Sequence, residues 1–94
     1  MALIFRWNGE KASRNLRKHG VSFEEAATIF GDALSSAIPD PAHSTYEERF
    51  AILGSSSRGR LLVVVFTETE EDVIRIISAR RATTRERKNY EEGK

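Results

Sequence analysis

The chain has 94 residues, with 15 lysines and arginines against 14 aspartates and glutamates, a formal net charge of +1 and no cysteine. That length makes one small domain, residues 1–94, with material for one core. The missing cysteine excludes disulfides, zinc–thiolate centres and cysteine nucleophiles, and no apolar run approaches a membrane span, so a soluble, cytoplasmic protein is expected.

Leu3 to Trp7 alternates, with Leu3, Phe5 and Trp7 on one side, and reads as a short strand. Asn8 is placed to cap a helix over Gly9 to Lys18, where Ala12, Leu16 and His19 share a face and Gly20 ends the helix in a left-handed turn. Ser22 and Glu25 have capping-box spacing, with Val21 set to staple onto Ala26. The second helix carries Phe23, Ala26, Ala27 and Phe30 and stops at Gly31. Leu34 to Ile38 is a modest strand ended by Pro39 and Pro41, and an irregular loop follows through Asp40, His43 and Ser44. Arg49 to Ser55 is a strand, and Ser55 to Gly59 a turn. Leu61 to Phe66, "LLVVVF", is continuously apolar, the pattern of a central strand covered on both faces. Thr69 to Asp72 is a polar turn and Val73 to Ala79 the last strand. Thr83 and Glu86 form a second capping box, opening a helix to about Glu92. That helix has only Ala82 and Tyr90 as apolar anchors. The order β-α-α-β-β-β-β-α with short hairpin links predicts an α+β domain: an antiparallel sheet packed against two N-terminal helices and a C-terminal helix.

Charge gathers after the last strand. Arg75, Arg80, Arg81, Arg85, Arg87 and Lys88 precede Tyr90 with Glu86 alone opposing them. Without a bulge, Ile74, Ile76, Ser78 and Arg80 share one sheet face, and Arg75, Ile77 and Ala79 the other. Arg80 would then emerge beside the free amides near Thr83 and Thr84, a seat for phosphate. The competing reading pairs Arg80 with Glu86 and leaves Arg85 and Arg87 to solubilise the helix. Lys18-His19-Gly20 gives a histidine able to act as acid or base, or one that only bonds a carbonyl at a helix end. Two histidines and no cysteine argue against a dedicated metal site at Asp40 and His43. No P-loop, GxSxG, HExxH or dinucleotide fingerprint is present.

Three stretches, "FRWNGEKASRNLRKHGVSFEEAATIFGD", "DPAHSTYEERFAILGSSSRGRLLVVVFTE" and "IRIISARRATTRERKNYEE", resemble the BrnT family of bacterial toxins. The likeness covers nearly the whole chain and is most specific in the W-N-x-x-K opening and in R-I-I-S-A-R-x-A-T-x-x-E-R-x-x-Y. The resemblance implies a RelE-like fold and the toxin of a type II toxin–antitoxin module, a ribonuclease that depresses translation and growth. It implies a cognate, BrnA-like DNA-binding antitoxin, through which the pair contacts operator DNA. The matching motif positions are Lys18, His19, Arg49, Arg80, Glu86 and Arg87.

RNA cleavage without metal or cofactor requires attack by the 2′-hydroxyl, a proton acceptor, a proton donor and cations on the phosphorane. Arg80 and Arg49 are the expected clamp, His19 or Glu86 the acceptor, and Lys18, Arg87 or His19 the donor. Arg60, Arg75 and Arg81 would hold flanking phosphates of an RNA, free or on the ribosome. The alternative is a non-catalytic RNA-binding or protein-interaction module.

Overall fold

The computed structural model describes residues 2–38 and 48–93. Five strands, β1 (Ile4–Arg6), β2 (Ser36–Ile38), β3 (Phe50–Ser55), β4 (Leu61–Glu70) and β5 (Val73–Arg81), form one sheet in the order β1-β5-β4-β3-β2. The helices are α1 (Gly9–His19), α2 (Phe23–Ala27), continued by a 3₁₀ turn at Thr28–Gly31, and α3 (Thr84–Glu92). The expected α+β class holds, with one correction to the sheet. Strand β1 pairs with β5 in parallel, so the sheet is mixed. Hairpin links dictate antiparallel pairing only where they occur, and β1 reaches β5 through the helices and three intervening strands.

As its unbroken apolar run predicts, β4 is central, and Leu61 to Val65 are buried on both faces. One face carries Leu62, Val64, Ile74, Ile76 and Ala79 beneath Val21, Phe23, Ala26 and Ile29. Aromatic rings continue this layer: Phe30 lies 5.2 Å from Phe5 and 5.0 Å from Phe66, and Trp7 meets Phe23 edge-on at 6.0 Å. Such tilted and edge-on contacts suit the ring quadrupoles. The other face holds a smaller cluster, Ala51, Leu53, Leu61, Val63 and Val65, flanked by Ile38, Ile77, Ala82 and Tyr90.

Local signals explain the helix ends. Asn8 accepts from the Lys11 amide at 3.0 Å, and Gly20, at φ +69°, closes α1 with its N–H on the Leu16 carbonyl. Thr83 and Glu86 form the full reciprocal box at α3. The Ser22 box is only half formed. Ser22 accepts from the Glu25 amide, but the Glu25 carboxylate turns to Ser56 and Arg60 instead of back to Ser22. A guanidinium fork and a hydroxyl inside the fold outcompete one backbone amide. The face expected for α1 also shifts. Ala12 packs on the core, but Leu16 is 50% exposed and Asn15 is the buried residue of the helix.

A bulge changes the facing of β5. Val65 pairs with Ser78 and Phe66 with Ile76, so Ile77 is an extra residue. A bulge places two successive residues opposite one and resets the alternation. Ala79 therefore joins Ile74 and Ile76 in the helix-covered core, whereas Ile77 joins the second cluster. Ser78 and Arg80, paired with Val65 and Val63 of that cluster, follow Ile77 rather than Ile76. The strand thus departs from the unbulged alternation expected from the sequence.

Candidate functional site

The site begins with an unfinished sheet edge. Strand β1 covers only Val73 to Arg75 of β5. Beyond that point Asn15 acts as a substitute strand: its Oδ1 accepts from the Ala79 amide at 3.1 Å and its Nδ2 donates to the Ala79 carbonyl at 2.8 Å. The same Nδ2 donates to the Val21 carbonyl at 3.0 Å. Buried backbone groups are thereby satisfied, and α1 is fixed in register along the edge of β5.

Fixing Asn15 aims its helical neighbours. Lys11, Arg14, Asn15 and Lys18 recur at i, i+3, i+4 and i+7, one helix face. With His19, Arg49, Ile77 and Ser78 they line a cleft of about 360 Å³. Three expected site residues, Lys18, His19 and Arg49, thus meet, although thirty residues separate His19 from Arg49 in the chain. The floor is the bulge, Ile77 and Ser78. The sequence reading missed Lys11, Arg14 and Asn15. Their signal was a polar stripe alternating with the Ala12–Leu16 stripe that drew attention.

Arg80 lies two residues further along β5, on the same face as Ser78. Its Nη1 and Nη2 donate to Glu86 Oε1 and Oε2 at 2.8 and 2.9 Å, and Glu86 Oε1 also accepts from the Thr83 amide at 2.9 Å. The seat imagined for phosphate between Arg80 and the α3 amides is filled by this carboxylate. Held first by the Arg80 guanidinium, then by Thr83, and against the effect of partial burial, Glu86 is pulled down to a pKa of about 2. A carboxylate so anchored is a poor proton acceptor at neutral pH. It orients Arg80 and caps α3.

The remaining expected residues lie apart. Arg60 is bound by Glu25, through Nε at 2.9 Å and through Nη2, and donates to the Gly20 carbonyl at 3.0 Å. Glu25 is buried, and the Arg60 fork, with Ser56, holds its carboxyl below the ordinary range. This pair ties α2 to the β3–β4 turn and is not on the cleft. Arg81 and Arg87 are exposed. Arg75 lines a second cleft with Arg6, Trp7, Asn8 and Thr69. Asp40 and His43 lie outside the described residues, and no group of three or more histidine, cysteine, aspartate or glutamate side chains suited to a metal occurs among those described.

Tyr90 and Ala82 pack on the second cluster, and the Tyr90 hydroxyl donates to Asp32 Oδ2 at 2.6 Å. That bond, with partial burial beside a carboxylate, pushes the Tyr90 phenol above its ordinary pKa. Asp32 also accepts from the Ser55 amide at 2.8 Å and the Leu34 amide at 2.9 Å, so one carboxylate links α3, β3 and the end of the 3₁₀ turn.

These features define a small α+β domain with a five-stranded mixed sheet, three helices and a cation-lined cleft at a strand edge. The model of the family described as "Ribonuclease toxin, BrnT, of type II toxin-antitoxin system" matches residues 7–86. The chain belongs to the BrnT family. Its fold is similar to the 1.1 Å crystal structure of the Brucella abortus ribonuclease toxin BrnT, with a TM-score of 0.64 at 22% identity over 89% of this chain and 99% of that one. A comparison with curated proteins finds no match. Membership brings ribonuclease toxin activity and a cognate antitoxin. No helix among the described residues is long and apolar enough to cross a membrane.

Proposed function

We propose that the protein is a RelE-like, metal-independent endoribonuclease whose chemistry takes place in the Lys18–His19–Arg49 cleft. The supporting observation is convergence: a helix end and a strand start, distant in sequence, bring an imidazole, an ammonium and a guanidinium around one cavity. The 2′-hydroxyl attacks the neighbouring phosphorus as the bond to the 5′-oxygen breaks, giving a cyclic phosphate and a free 5′-hydroxyl. His19, the imidazole on the cleft wall, takes the 2′ proton as general base. Lys18 delivers a proton to the departing oxygen. Arg49 stabilises the charge building on the phosphorane, and Arg80, oriented by Glu86, adds positive potential from the neighbouring position on β5. Glu86 is not assigned the base role, and Arg60 is given a structural one.

In this reading the enzyme acts in the cytoplasm on RNA, free or on the ribosome, depresses translation and growth, and is silenced by a BrnA-like antitoxin that alone carries the pair to operator DNA. The rival is a non-catalytic binding module, and the Arg60–Glu25 and Arg80–Glu86 pairs are the observations that favour it. Purified protein incubated with cellular RNA decides between them. Cleavage that persists in EDTA and disappears in His19→Gln, with the fold intact, supports the nuclease. Binding without strand breaks supports the rival, and cleavage abolished by EDTA removes metal independence.

A further inference from the structure

The second cleft has no part in that chemistry. Arg6, Trp7, Asn8, Thr69 and Arg75 enclose about 390 Å³ at the opposite end of α1 from His19. Arg6 and Arg75 are direct partners in the β1–β5 ladder. Like charges directly opposite each other destabilise a sheet. Among the described residues neither guanidinium is paired with a carboxylate. An anion between them turns this repulsion into binding. Thr69 is itself the extra residue of a β4 bulge, between the Glu68–Ile74 and Glu70–Val73 pairs. Trp7 adds an aromatic wall, its ring set by the edge-on contact with Phe23.

The two clefts are consecutive parts of one seam. Asn8 lines the second and Lys11, one helical turn on, the first; on β5, Arg75 lines the second and Ile77 the first. From Asn8 to His19 the helix advances roughly 17 Å at its normal rise. Along that length lie Lys18, Arg14, Lys11, Arg75 and Arg6. Past Thr69 the hairpin residues Glu70, Glu71 and Asp72 reverse the charge and mark the end of the run.

We infer that this seam is the track of a single RNA strand, and that the Arg6–Trp7–Arg75 cleft is a subsite for a nucleotide remote from the bond cut at His19. Paired guanidiniums take the backbone phosphate, and the indole borders the base. Single-strand sites combine a cationic groove with aromatic platforms in this way, and a seam between a helix and a strand edge admits an extended chain rather than a folded surface. The inference rests on the nuclease reading for the direction of the track, but its test is separate.

The probe is a mixed-sequence octaribonucleotide with 2′-O-methyl groups, which lacks the attacking hydroxyl and cannot be cut. Trp7 is the only tryptophan, so its fluorescence reports occupation of the subsite directly. Wild-type protein should show saturable quenching with strong salt dependence. Arg6→Gln and Arg75→Gln should each make the slope of log affinity against log salt shallower by about 0.7, and the double variant by about twice that. Lys88→Gln, on α3 away from the seam, should keep the wild-type slope. Arg6→Lys should restore it, because it returns the charge; this also separates lost binding from lost folding. Binding without Trp7 quenching, or equal slopes in all variants, overturns the track even if unmodified RNA is cleaved. A slope change confined to polyglutamate assigns the seam to an acidic protein and also overturns it. Quenching with the expected slopes but no cleavage of unmodified RNA keeps the track and removes the nuclease.

Discussion

The two faces of the sheet are built from the same strands and do opposite things. The face under α1, α2 and the 3₁₀ turn is dry, and rings from Phe5 to Phe66 fill the spaces between layers. Among the described residues the other face is covered by α3, anchored by Tyr90 and Ala82, and beyond that helix β5 presents Arg75, Ile77 and Ser78 to the clefts. The difference is one of cover rather than of strand composition, since β4 is apolar towards both sides. The packed core is concentrated under the paired helices, and the two clefts open where the cover stops. Asn15 joins the two regions: it is buried with the first and sets the edge of the second.

Substitutions should separate the faces. The largest effect is expected from Phe23→Ala, about 4 kcal/mol of stability for a fully buried ring, read as a lower denaturant midpoint. Cleavage should fall only as folded protein is lost. Arg49→Ala should do the reverse, slowing cleavage a hundred- to a thousandfold, roughly 3 kcal/mol in the barrier, with a nearly unchanged midpoint. If Arg49→Ala unfolds the protein as Phe23→Ala does, the division of labour between the faces is wrong.

Glu86 sharpens the contrast through pH. Its pKa is lowered from 4.5 to about 2, so its contribution is complete above 4.5 and is lost as pH falls through about 2. That shift corresponds to roughly 3 kcal/mol at most. Urea unfolding across this range should show the loss in wild type and a flatter limb in Glu86→Gln. A limb that does not change assigns the acid sensitivity to the other depressed carboxylate, Glu25. The smallest effect should come from Tyr90→Phe, about 1 kcal/mol for one hydrogen bond, seen as a slightly lower melting temperature, because Asp32 retains Ser55 and Leu34.

Much of the fold was legible in the chain. The Asn8, Gly20 and Thr83 signals act within a few residues, and the continuous run at Leu61 to Val65 marks a central strand wherever it occurs. The parallel β1–β5 pair was not legible, because nothing local in Leu3 to Trp7 selects a partner seventy residues away. Glu25 was read as a capping-box residue and Arg60 as a holder of flanking phosphate; their pairing depends on the β3–β4 turn folding back onto α2. The lining of the candidate cleft was half legible. Lys18, His19 and Arg49 stood out by residue type, but Lys11 and Arg14 gain meaning only once Asn15 fixes which side of α1 meets β5. Arg80 was correctly placed beside the start of α3, and its bond to Glu86 was one of two arrangements the spacing allowed.

The extra residue at Ile77 also governs how this strand tolerates changes in length. Removing Ile77 alone would restore plain alternation and leave Ala79 inward and Arg80 on its present side. Deleting Ala79 would instead exchange the sides, driving the Arg80 guanidinium beneath the helices. The bulge pair Ile77 and Ser78 is therefore where an evolving gene can drop one codon in this part of β5 without turning its arginine inside out.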